Sequence, residues 1–90
     1  MKKPVNLTEI LVERVVEEQY KKRTGICPCD TCKADIMAYA LNQLPPRYVN
    51  TDKGELYVRA GTLNSQMATD LLVAVSKAIE HVTKNPRHVQ

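Results

Sequence analysis

Phenylalanine and tryptophan are both absent from this chain, and four tyrosines are its only aromatics. A core without large rings must be assembled from aliphatic side chains. Each of the larger ones contributes about 1.5–3 kcal/mol on full burial. Glycine occurs only at 25, 54 and 61. Such scattered positions exclude a glycine-rich phosphate loop. No apolar run approaches the ~20 residues needed to span a bilayer. Histidine occurs twice, at 81 and 88. No acid–base pair with a supporting partner can be argued from the spacing, so the sequence offers no enzymatic reaction. A net charge of +3 is too small to argue for nucleic acid, and no stripe of Arg and Tyr is visible.

Ninety residues make one domain, 1–90, with no room for a second. A chain this short buries roughly 60–65% of its unfolded surface. It therefore needs a staple or a partner subunit, and a bound metal, a homodimer or both are expected. Met1-Lys2-Lys3 is followed by no apolar stretch of a secretory leader. The chain reads as cytoplasmic, a compartment in which thiols stay reduced and clustered cysteines more often bind metal.

Three helices are predicted. Asn6 caps the first, about 7–23, with Glu9 reaching back. Leu7, Ile10, Leu11, Val15 and Val16 mark its apolar face. Glutamates open it, Lys21-Lys22-Arg23 close it in the order the dipole favours, and Thr24-Gly25 stops it. The second helix, about 31–44, starts at Asp30 or Thr31 and carries Ile36, Met37, Ala40, Leu41 and Leu44. Pro45-Pro46 ends it, because the residue before a proline is pushed out of helical space. Between 47 and 61 the pattern reads as a short hairpin or an ordered loop, with Tyr48-Val49 and Leu56-Tyr57-Val58 flanking Asp52-Lys53-Gly54. The third helix, about 65–84, is capped by Asn64 or Ser65. Its stripe is Met67, Leu71, Val75, Ala78, Ile79 and Val82, widened by Ala68, Leu72 and Val73. A face that broad exceeds what one helix covers, so part of it is expected to meet a second subunit, the alternative being that the first two helices cover it between them. Asn85-Pro86 ends the helix.

Cysteines stand at 27, 29 and 32, three within six residues. Cys29-x-x-Cys32 is a chelating spacing at a helix start, where exposed N–H groups favour thiolates. Pro28 stiffens the approach and holds Cys27 extended. All three sulfurs can converge on one ion. Zinc is the default, since it takes thiolates tetrahedrally, and a structural site needs a fourth ligand. His88, on the tail beyond Pro86, is favoured over His81 within the third helix. Water, Asp30 or a cysteine of another subunit are alternatives. So is a cluster of three reduced thiols without metal. A redox pair would want a βαβ setting that is missing here, and an iron–sulfur centre would want four cysteines.

The stretch "CPCDTCKADIMAYALNQLPPRYV", the following "GELYVRA" and the terminal "AIEHVTKNPRH" together resemble the ComFB family of late competence development proteins. The resemblance spans about 7–88. It implies a small helical domain that forms homodimers, with zinc on the cysteine cluster in some members. In cyanobacterial relatives it implies a receptor for cyclic dinucleotides such as cyclic di-GMP, and a chain of this size in that role is expected to act through a protein partner. It implies no catalytic activity. Such a ligand wants cations for two phosphates, and polar and flat groups for two bases. The sequence offers Lys33 and Asp35 at the start of the second helix, Asn42 near its end, then Arg47, Tyr48 and Arg59. Four of them have a plainer role open: Asp35 as a first-turn dipole partner, Asn42 on backbone groups at the helix end, Arg47 and Tyr48 as loop anchors. A zinc-stapled adaptor without a small-molecule ligand is the alternative function.

Overall fold

The computed structural model describes residues 3–50 and 65–86. A two-residue strand, β1 (Val5–Asn6), leads into helix α1 (Leu7–Lys22). Helix α2 (Asp30–Asn42), strand β2 (Tyr48–Val49) and helix α3 (Ser65–Lys84) follow. The three predicted helices are present within two residues of their expected ends. A strand partnership that the sequence did not indicate is present. Tyr48-Val49 pairs antiparallel with β1, Val5 opposite Val49 and Asn6 opposite Tyr48. The other arm of the anticipated hairpin, at 56–58, lies outside the described residues.

Asn6 explains the arrangement. Its side-chain oxygen accepts from the Thr8 N–H at 3.1 Å, capping α1, and from the Arg47 N–H at 2.9 Å. Two more bonds tie the same corner: Leu7 N–H donates to the Arg47 carbonyl at 2.6 Å, and the Thr8 hydroxyl to the Pro45 carbonyl at 2.9 Å. One residue thus joins the start of α1 to the double-proline turn. Asn6→Ala removes a cap and leaves the Arg47 N–H without its acceptor. A loss of about 1–2 kcal/mol is expected in urea denaturation, while Asn6→Asp keeps most of the stability.

At the other end of α1, Arg23 closes the helix through its N–H to the Gln19 carbonyl, and Gly25 takes φ +82°. That left-handed turn favours glycine. The cap of α2 corrects the expectation. Cys29, not Asp30 or Thr31, is the N-cap, with its sulfur accepting from the Cys32 N–H at 3.4 Å. Asp30 lies in the first turn.

The core lies where α2 packs against α3 and α1 contacts both. Val12, Ile36, Ala40, Val75 and Ala78 are completely buried, and the tyrosines take no part in this set. On α3 the expected stripe holds, with Met67 only half-buried. On α1 the buried face is rotated from the expected one: Val12 and Gln19 are buried, while Ile10 and Val15 are only partly covered. Gln19 is satisfied inside by the Arg23 side chain, 2.7 Å away. Helices α1 and α2 together leave Leu72 and Val73 of α3 46% and 45% exposed. No helix among the described residues is long and apolar enough to cross a membrane.

Candidate metal centre

The three sulfurs converge. All Sγ atoms of Cys27, Cys29 and Cys32 lie within 4.8 Å of one another. Cys32 is buried, while Cys27 and Cys29 are half-buried. The local sequence produces this directly. Gly25 turns the chain out of α1, Ile26 packs against the core, and α2 begins at the cysteines. In a tetrahedral zinc–thiolate site the sulfurs sit roughly 3.8 Å apart, given a Zn–S bond of about 2.3 Å. The cluster therefore fits three corners of such a site with contraction of an ångström or less.

The thiols are electrostatically unlike. The Cys32 N–H pointing at the Cys29 sulfur holds the Cys29 thiol below its ordinary range. Burial pushes the Cys32 thiol up to about 12, helped by the neighbouring sulfurs. Cys29 is thus the readier thiolate, and Cys32 gives up its proton only to a strong competitor such as a metal ion.

Tyr20 supports the cluster from α1. Its hydroxyl donates to the Cys27 carbonyl at 2.7 Å. Burial raises the pKa of that hydroxyl, and the three cysteines add to the effect. The Lys33 ammonium lies 5.1 Å from the centre of the Tyr20 ring and 4.0 Å from the Glu17 carboxylate. Sequence reasoning missed Tyr20. Seven residues and a glycine turn separate it from Cys27, and no motif marks such a contact.

Among the described residues, no fourth ligand joins the three cysteines. His81 is exposed and stacked on Tyr39, centroids 4.5 Å apart and planes at 22°. Asp30 is exposed and outside the cluster. His88 lies outside the described residues. A cavity of about 150 Å³ adjoins the sulfurs, with Cys27, Cys32, Ile36, Val82 and Pro86 in its walls.

The residues proposed for a nucleotide are spread over the molecule. Asp35 and Asn42 are seven positions apart, so they share a face of α2 about 10 Å apart along the axis. Lys33 points towards α1, engaged with Glu17 and Tyr20. Arg47 immediately precedes β2 and Tyr48 opens it, with Tyr48 66% exposed. Arg47 lines a separate cavity of about 140 Å³ with Thr8, Leu44, Gln66 and Asp70. Arg59 lies outside the described residues.

Comparison with known proteins matches this arrangement to one family. The family model described as Late competence development protein ComFB covers residues 5–86. The chain belongs to the ComFB family. It is 28% identical over 82 residues to the Competence protein ComFB of Bacillus subtilis (strain 168), covering 91% of this chain and 84% of that protein. It is also similar to the solved structure of the late competence protein ComFB from Bacillus subtilis. The TM-score is 0.79 at 27% identity, over 94% of this chain and 96% of the other. The span matched by the ComFB model contains all three cysteines, Tyr20 and every described candidate for a nucleotide site.

Within this ComFB domain the Tyr20 hydroxyl makes its own prediction. Tyr20→Phe keeps the ring beneath Lys33 and removes the bond to Cys27. Zinc affinity is expected to fall about 10- to 100-fold in a chelator competition, with little change in the circular dichroism of the metal-free protein.

Proposed function

We propose that this ComFB-family chain is a small cytoplasmic regulatory protein. It binds a cyclic dinucleotide between two copies of itself, is stapled by one zinc ion per copy, and signals through a protein partner without a reaction of its own. The observation that carries the nucleotide reading is the presentation of Arg47 and Tyr48. The Arg47 N–H donates to the Asn6 side-chain oxygen and the Arg47 carbonyl accepts from the Leu7 N–H, so its guanidinium and the exposed Tyr48 ring stand on a fixed support. A guanidinium pairs with phosphate or stacks on a base, and a phenol ring stacks equally well. The scatter of candidates over one copy supports a shared site. A ligand with two-fold symmetry between two copies meets each residue twice, Asp35 and Asn42 included.

Native mass spectrometry with cyclic di-GMP and cyclic di-AMP tests this. The expected spectrum is a dimer carrying nucleotide, and Arg47→Ala is expected to weaken binding at least tenfold. A zinc-loaded protein blind to both nucleotides would leave the second reading, an adaptor stapled by metal. The converging sulfurs support that reading. In either case the Cys27–Cys29–Cys32 set is the zinc site. His88 is the favoured fourth ligand, because the chain two residues before it, at Pro86, already lines the cavity beside Cys27 and Cys32.

A further inference from the structure

Leu72 and Val73 are not isolated surface residues. Both lie in a groove of about 680 Å³ between the end of α1, the turn through Gly25 and the outer face of α3. Ile26 joins them on its floor. Adjacent exposed aliphatics in a concavity mark an interaction site more often than scattered ones do. The rim is chemically one-sided. Arg23, Lys77 and Lys84 stand around it against the single carboxylate of Glu80, and Glu80 is already bonded to Lys84 at 3.1 Å. Arg23 bonds only neutral acceptors, the Gln19 side chain at 2.7 Å and the Ser76 hydroxyl at 3.1 Å. Its charge is left uncompensated by any carboxylate among the described residues.

We infer that this groove docks an acidic amphipathic segment of a partner protein, aliphatic side chains on Ile26, Leu72 and Val73 and carboxylates on Arg23 and Lys77. A helix laid in a groove by its apolar face is a common mode of such recognition, and the charged rim sets its register. A second copy of this chain fits less well. A two-fold contact centred on the groove presents the patch to itself and brings the three cations against the same three. The groove shares no lining residue with the cavity at Arg47 or the one at the cysteines, apart from the turn at Gly25 and Ile26 and from Thr83. Its occupation is therefore separable from nucleotide binding.

The test uses the full 90-residue chain and two designed helical peptides, one of leucine and glutamate, one of leucine and lysine. Fluorescence anisotropy gives affinity, and amide shifts give location. The glutamate peptide is expected to bind saturably, more weakly as salt rises, with shifts confined to 23–26 and 72–84. Lys77→Glu is expected to weaken it about tenfold. Leu72→Ser with Val73→Ser is expected to abolish binding with an unchanged circular dichroism spectrum, because both side chains are half in water. Equal binding of the two peptides, no binding, or shifts located elsewhere overturn the inference. It also fails if sedimentation shows that the double serine variant turns a dimer into a monomer. In that case the groove belongs to a second copy.

Discussion

Replacing Cys32 by serine is expected to lower zinc affinity at least a hundredfold and to remove the stabilisation that zinc gives. A structural zinc site contributes on the order of 10–16 kcal/mol at neutral pH, so losing one of the three sulfurs that would hold the ion removes roughly 3 kcal/mol or more. Cys32 is the cysteine to choose because it is 2% exposed and faces the core beside Ile36. Serine keeps the size of the side chain, so the metal-free fold should survive. Isothermal titration with zinc, and thermal melts with and without a chelator, check both halves. The wild type should lose midpoint temperature on chelation, and the variant should be indifferent to it. The pH dependence follows from the thiol protonation. The Cys32 thiol is pushed up to about 12 without metal, so it is protonated at neutral pH. Zinc must displace that proton, and affinity therefore rises with pH and falls as the solution is acidified. A metal affinity independent of pH between 6 and 8 would contradict the assignment of thiolate ligands.

Ile36→Ala is expected to cost about 3–4 kcal/mol of folding stability and to lower the melting midpoint by roughly 15–25 °C. Ile36 is completely buried in α2 among the residues of α1 and α3, and it also walls the cavity beside the cysteines. Truncation enlarges that space where no large ring is at hand to fill it. In a domain whose total stability is about 5–15 kcal/mol, such a loss brings the chain near its unfolding threshold. Leu72→Ala is the matched control. The residue is 46% exposed, and its loss should stay below about 1 kcal/mol in the same denaturation experiment. Equal costs at 36 and 72 would mean that α3 is covered on its outer side in solution.

Helix positions were legible because each carries a local signal. Asn6, Gly25 and Pro45-Pro46 mark chain turns through backbone torsion and lost donors, effects confined to a few neighbours. The cysteine spacing was equally legible, since six residues cannot carry the sulfurs far apart. The α1 core face was harder to read. Apolar residues flank it on both sides, so periodicity alone could not choose between a stripe through Val15 and one through Val12 and Gln19. Packing decided, by placing α2 and α3 against the second.

The pairing of Tyr48-Val49 with β1 was not legible in the sequence. A two-residue strand has no alternation to read, and its partner, β1, lies more than forty positions away along the chain. Three helices, their stops and a metal-competent trio of thiols all follow from interactions between residues a few positions apart. Tertiary structure alone decided that Asn6 holds Arg47, that Tyr20 holds Cys27, and that Leu72 and Val73 stand beside Arg23 in one groove. Each of these depends on how separate elements meet. That meeting is set by the sum of many weak packing terms, which no short stretch of sequence contains.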